Sequence, residues 1–343
     1  MKDGGDSHPA FTGLVDVHAH EYPEAFLAAC RQPDSGLDYR VEGHRVVVRQ
    51  DGAIALGVPR PAPNLEDRLA AMDAAGIQTQ VLSVSAPNVY RFSPRVRVPL
   101  ARELNDNLID YARRSNGRLR VFASLPLPDV CAALDEADRV LADPLVVGLM
   151  LCTTVDRRPL DDELFQPLWR ALSERGTVVF VHPTTGCSTE GTREYALSLT
   201  LDYMAETTKA VARLLFSGTL ERSPGIRWIF SHAGGTIPYV IHRFGEYTGQ
   251  FRECREHITE DPLVTLRRLT FDTVSTHAPA LRCALETFGA DRFVFGTDYP
   301  HVPRGMQAFV DTLSAVGLSE ADLSKVAREN AMDLLGLSLS FNP

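Results

Sequence analysis

The chain has 343 residues, 44% hydrophobic and 23% charged, which is ordinary for a globular protein and ample for one core of barrel size. A formal charge of −9 argues against nucleic acid as a partner, since its readers carry basic patches, and the arginines of residues 91–97 and 267–268 are too few to overturn that. The longest apolar run, VVGLMLC at 146–152, is far below the ~18 residues that cross a bilayer.

Residues 1–13 contain no apolar stretch of signal-peptide type. The six cysteines (30, 131, 152, 187, 254 and 283) are scattered without a CxxC pair and read as reduced thiols. We therefore expect a cytoplasmic location and no membrane association.

Eight short β-branched runs punctuate the chain at 14–18, 80–85, 120–125, 146–152, 177–182, 227–232, 269–274 and 292–296. Helical patterns separate them, at 65–75, 100–114, 130–141, 164–174, 203–215 and 280–288. Eight β/α units in one chain predict an α/β fold of a single (β/α)₈ TIM barrel spanning residues 1–343. Residues 34–64, rich in Gly, Pro and Arg and including HRVVVRQDGAIAL, read as a small β insertion after the first strand, where a barrel would carry a lid. Residues 319–336 predict an extra C-terminal helix, with Ser319 as its N-cap and Asp322 at the third helical position.

The first strand reads LVDVHAH, so His18 and His20 share one face opposite Val15, Val17 and Ala19. Imidazole is the commonest protein ligand for metals, yet an isolated HxH is equally well explained by two unrelated histidines. Three further residues break that tie. His182 ends the fifth strand (TVVFVH), His232 ends the sixth (WIFSH), and Asp298 follows the eighth (FVFGTD). Independent histidines have no reason to gather at C-terminal strand ends, which is where barrels build their active sites. A common site is strongly favoured.

The stretches VDVHAHEYP, VHPTTG, FSHAGG and GTDYPH, in consistent order over about residues 14–335, resemble the amidohydrolase-2 branch of the amidohydrolase superfamily. That resemblance implies one divalent metal held by His18, His20, His182 and Asp298, with zinc first and manganese second. It also implies a proton-handling role for His232, with Asp298 as a second candidate donor. Relatives with two metals bridge them with a Lys or Glu on the fourth strand, and VVGLMLC has neither. Arg243, eleven residues beyond His232, matches an arginine that in some relatives grips a substrate carboxylate in the neighbouring subunit of a homodimer; an ordinary helix-surface ion pair is nearly as good a reading. His301, three residues past Asp298, is a candidate for lining the substrate pocket. His8, His44, His242 and His257 read as peripheral, and His277 as another possible lining residue.

The preferred function is non-oxidative decarboxylation of a small aromatic or unsaturated carboxylate. A hydrolase of C–C or ester bonds, or a hydratase, would use the same metal and base, because specificity resides in loops. A non-catalytic binding barrel is disfavoured, since a full ligand set and a proton-handling histidine are both present.

Overall fold

The computed structural model describes residues 12–337, so His8 and the tail that carries it lie outside the described residues. All eight expected strands form: β1 Leu14–His20, β2 Ile77–Ser83, β3 Leu119–Ser124, β4 Val146–Cys152, β5 Val178–His182, β6 Arg227–Phe230, β7 Thr270–Asp272 and β8 Phe293–Val294. They pair in parallel and in strict sequence order, from β1 through to β8. The Val17 N–H donates to the Phe295 carbonyl at 2.9 Å, and a parallel bridge joins Ala19 to Tyr299, so β8 returns to β1. The outcome is the expected (β/α)₈ barrel.

Parallel strands wrapped by helices are covered on both faces and therefore read as continuous apolar runs. Every residue of β1 is buried, including Asp16, His18 and His20. The period of two sends those three into the barrel and Val15, Val17 and Ala19 outward against helices. Phe180 lies two residues before His182 on β5; its ring stacks on Phe122 at 5.5 Å and meets His18 edge-on at 4.8 Å. Aromatic side chains thus fill the barrel beneath the histidines.

A Cβ on Gly296 would come within 2.9 Å of His18 Cβ and 3.0 Å of Val274 Cγ2. Only glycine lets the end of β8 approach β1 this closely.

The predicted insertion is present as a three-stranded antiparallel sheet, Leu37–Glu42, Arg45–Gln50 and Ala53–Pro59. It differs in one respect from the sequence reading. A short helix, Glu24–Cys30, precedes it, so the sheet follows that helix and leads into the helix Leu65–Ala74. The sheet docks on the barrel mouth through backbone carbonyls: Tyr203 Oη donates to Ala55 at 2.6 Å and Ser198 Oγ to Ile54 at 2.8 Å. At the other end, Ser319 caps the terminal helical segment by accepting from Asp322 N, as its spacing predicts. No helix among the described residues is long and apolar enough to cross a membrane.

Candidate active site and metal centre

β1, β5 and the turn after β8 bring His18, His20, His182 and Asp298 together. One ligand atom from each lies within 4.8 Å of all the others. His18 Nε2 and His20 Nε2 are 3.0 Å apart, and they stand 3.3 and 3.1 Å from Asp298 Oδ1. That oxygen is buried and has no hydrogen-bond partner. Its contacts with the two imidazoles are close but lack hydrogen-bond geometry.

The outer nitrogens of the rings are all engaged. His18 Nδ1 meets Asp272 Oδ2 at 2.6 Å, His20 Nδ1 meets Ser83 Oγ at 3.0 Å, and His182 Nδ1 meets the Pro183 carbonyl at 2.7 Å. A carbonyl only accepts, so His182 carries its hydrogen on Nδ1 and aims a bare Nε2 at the centre. Three imidazole nitrogens and an orphaned carboxylate oxygen are a donor set that suits a divalent cation. The residues fit the metal.

The side chains of the cluster strongly perturb one another's protonation. Burial depresses His18, but Asp272 and then Asp298 more than reverse this and push it up to about 10. His20 falls to about 3, chiefly through burial, and His182 falls well below the usual histidine range for the same reason. Burial opposes ionisation of Asp298, yet the His18 charge holds its carboxyl well below the usual range.

The frame around the cluster is polar and buried. Asp16 accepts from His18 N at 3.1 Å and from Gln80 Nε2 at 2.8 Å. It also takes both Thr297 N, at 3.1 Å, and Thr297 Oγ1, at 2.6 Å. It ties β1 to the turn that carries Asp298, and burial pushes its own carboxyl up to about 6. Arg68, fully buried, donates to Gln80 Oε1 at 2.7 Å and to the His20 carbonyl at 2.8 Å.

His232 and Asp298 adopt left-handed backbone angles, φ 55° and 53°. Non-glycine residues hold such angles at a cost of ~1–3 kcal/mol each, and only where the surroundings impose them. Here the Asp298 N–H donates to the His18 carbonyl at 2.7 Å, and Asp272 Oδ1 accepts from Ala233 N at 3.1 Å. The two strained turns point His232 Nε2 at Asp298 Oδ2, 3.6 Å away.

A cavity of about 450 Å³ opens over this cluster and includes His182, His232 and Asp298 in its wall. Its rim comes from the insertion (Arg45 and residues 55–57), and apolar cover from Val274 and Phe309. His301 is among the residues lining the cavity, and both its ring nitrogens are taken, by Gly57 O at 3.0 Å and Tyr22 Oη at 2.6 Å. Burial lowers its basicity.

Arg243 is not brought to the cavity of its own chain. It is exposed on the helix Ile237–Gln250 and donates to Tyr247 Oη at 2.9 Å. His44, His242, His257 and His277 are exposed as well, and His277 is not among the residues that line this cavity. Three residues escaped the sequence reading. Asp272 stood inside the seventh apolar run, and the structure makes it the last residue of β7; Arg45 and Ser85 required the fold.

The amidohydrolase family profile matches residues 15–337 of this chain. The chain belongs to the amidohydrolase family. Within that family it is similar to 6-methylsalicylic acid decarboxylase of Penicillium expansum, with 32% identity over 93% of this chain and 95% of the relative. The gamma-resorcylate decarboxylase of Rhodococcus jostii strain RHA1 is 28% identical over 79% of this chain and 87% of its own length. Among solved structures, the dihydroxybenzoic acid decarboxylase of Polaromonas sp. JS666 superposes with a TM-score of 0.79 at 22% identity, covering 96% of this chain and 98% of the other. That structure contains manganese and the inhibitor 2-nitroresorcinol. It confirms the fold of the family member described here.

Proposed function

We propose that this amidohydrolase is a metal-dependent carboxy-lyase that removes carbon dioxide, without oxidation, from a small aromatic carboxylate. The observation that carries this reading is the three-histidine, one-aspartate cluster, with its orphaned Asp298 Oδ1, opening into a cavity that carries His232 in its wall. The named activities of the relatives point the same way.

His18, His20, His182 and Asp298 would hold one divalent ion, zinc by preference for an imidazole-rich set, with manganese the alternative found in the Polaromonas structure. When bound, the ion supplies Lewis-acid charge for the substrate carboxylate and a neighbouring oxygen. The chain's own groups do the rest. Arg45, at the cavity rim, meets negative charge on the substrate, and Val274 and Phe309 cover the ring and exclude water. Asp298 divides its work between two oxygens: Oδ1 faces the imidazoles of the cluster and Oδ2 faces His232. The His232–Asp298 pair delivers a proton to the ring carbon that loses its carboxyl group, and the bonding electrons of the departing carbon dioxide return to the ring.

In the cell we place the enzyme in the cytoplasm as a homodimer, a reading supported by its unpaired cysteines and by the resemblance that suggests Arg243 serves a neighbouring subunit. The decisive experiment presents the metal-loaded protein with a panel of hydroxybenzoates and muconate semialdehydes and follows carbon dioxide release by mass. In deuterated water the product should carry one deuteron at the vacated carbon. Hydrolytic or hydrated products without carbon dioxide would refute the proposal.

A further inference from the structure

Ser85 lies two residues beyond β2, buried in the cavity wall. Its Oγ is 2.5 Å from Tyr22 Oη, which in turn is 2.6 Å from His301 Nε2. The chain of contacts ends at the Gly57 carbonyl of the insertion, 3.0 Å from His301 Nδ1.

The polarity of this row follows from its last member. A carbonyl only accepts, so His301 Nδ1 carries the ring hydrogen and, in the neutral ring, Nε2 is the acceptor. Tyr22 has one hydroxyl hydrogen and gives it to Nε2. Its oxygen then accepts from Ser85, whose only hydrogen is thereby spent. Ser85 Oγ is left with free lone pairs and no hydrogen to offer the cavity.

We propose that Ser85 is a specificity-determining residue that selects substrates bearing a hydrogen-bond donor, a ring hydroxyl or amino group, and rejects an ether or carbonyl at the same position. The inference rests on the aromatic-carboxylate reading given above and adds to it the substituent that the site requires. A donor completes the row; an ether oxygen would face Ser85 lone pair to lone pair in a buried setting. Tyr22 and His301 are positioning residues that hold the Ser85 hydrogen away from the cavity, and the Gly57 contact means the insertion helps to set this polarity.

The test uses the full-length, metal-loaded protein and two readouts. One is binding, by calorimetry, of non-reacting nitrophenols with a hydroxyl at each ring position, against their methyl ethers. The other is kcat and KM for hydroxybenzoates against the corresponding methoxybenzoates. For one ring position, the wild-type protein should favour hydroxyl over methoxy by about 10- to 100-fold, the range for a buried polar group left unpaired. Ser85→Ala should lose most of that preference, through KM more than kcat, and Ser85→Thr, which keeps the hydroxyl, should regain it. Tyr22→Phe should relax the preference although Ser85 is intact, because the serine hydrogen is then free to turn to an ether. A merely structural role for Tyr22 would weaken both members of each pair alike, and that outcome overturns the proposal. So does a wild-type protein indifferent to the substituent, or a Ser85→Ala variant that keeps the preference. Selective binding of nitrophenols without decarboxylation of any hydroxybenzoate would refute the reaction assigned above and still support this inference.

Discussion

His18 Nδ1 lies 2.6 Å from Asp272 Oδ2, both fully buried, so a carboxylate at the end of β7 orients the first histidine of the candidate metal cluster. The other oxygen of Asp272 accepts from Ala233 N at 3.1 Å and Val274 N at 2.9 Å. One side chain thus fixes an imidazole and the turn that carries His232. A carboxamide has a single acceptor oxygen and can serve the imidazole or the amides, not both. Asp272→Asn should therefore lower metal affinity by ~10- to 100-fold, as loss of an outer partner of a metal ligand typically does. Competition with a chromogenic chelator measures this, and unchanged affinity would refute the role.

The metal-free protein should bind close to one equivalent of zinc or manganese, and His18→Ala, His182→Ala and Asp298→Ala should each lose most of it. Elemental analysis of dialysed protein decides the count. Two equivalents, or full retention in these variants, would refute the single-ion centre.

Metal binding should also release a proton. With His18 pushed up to about 10 and His20 down to about 3, the metal-free cluster holds one exchangeable proton at neutral pH, on His18. Its departure makes apparent affinity rise ~10-fold per pH unit, levelling off once pH exceeds the His18 value. Calorimetry in two buffers of different ionisation enthalpy counts the proton; none released would contradict the charge assignment. The same shift has a stability consequence. Because the folded value is raised, the His18 contribution to the metal-free fold is fully present below the ordinary histidine value of 6.5 and is lost as pH rises through about 10.

Replacing His232 with Asn should leave the metal in place and reduce turnover by at least ~10²-fold, the usual scale of general acid–base work. Atomic absorption and steady-state kinetics on the same preparation separate the alternatives. Full activity would remove His232 from the mechanism, and loss of metal would make it a ligand.

The fifth expectation concerns Arg243, exposed on its own chain and apart from the cavity. If it serves a neighbouring subunit, inactive His232→Asn and inactive Arg243→Ala chains reassembled together should form heterodimers with one intact composite site and recover turnover above either parent. Heterodimers that stay inactive, although both variants fold and bind metal, would restrict Arg243 to the contact with Tyr247 seen within its own chain.

Much of this protein was legible in the chain itself. The eight strands stood out because a barrel strand is covered on both sides, and continuous burial writes a continuous apolar run. His18, His20, His182 and Asp298 stood out because polar residues ending such runs have no packing reason to be there. Asp272 was less conspicuous, inside the seventh run, and only its contact with His18 gave it a role.

The tertiary structure decided the remainder. HRVVVRQDGAIAL marked a β insertion, yet which of its arginines faces the cavity depends on how that sheet docks against the barrel. Docking placed Arg45 among the residues that line the cavity. Tyr22, Ser85 and His301 are separated by 63 and 216 positions along the chain and carry no shared pattern. Their donor–acceptor order exists only because β1, β2 and β8 are brought together at one barrel mouth with Gly57 laid across it. Spacing along a strand encodes which face a side chain takes; it does not encode the partner that waits there.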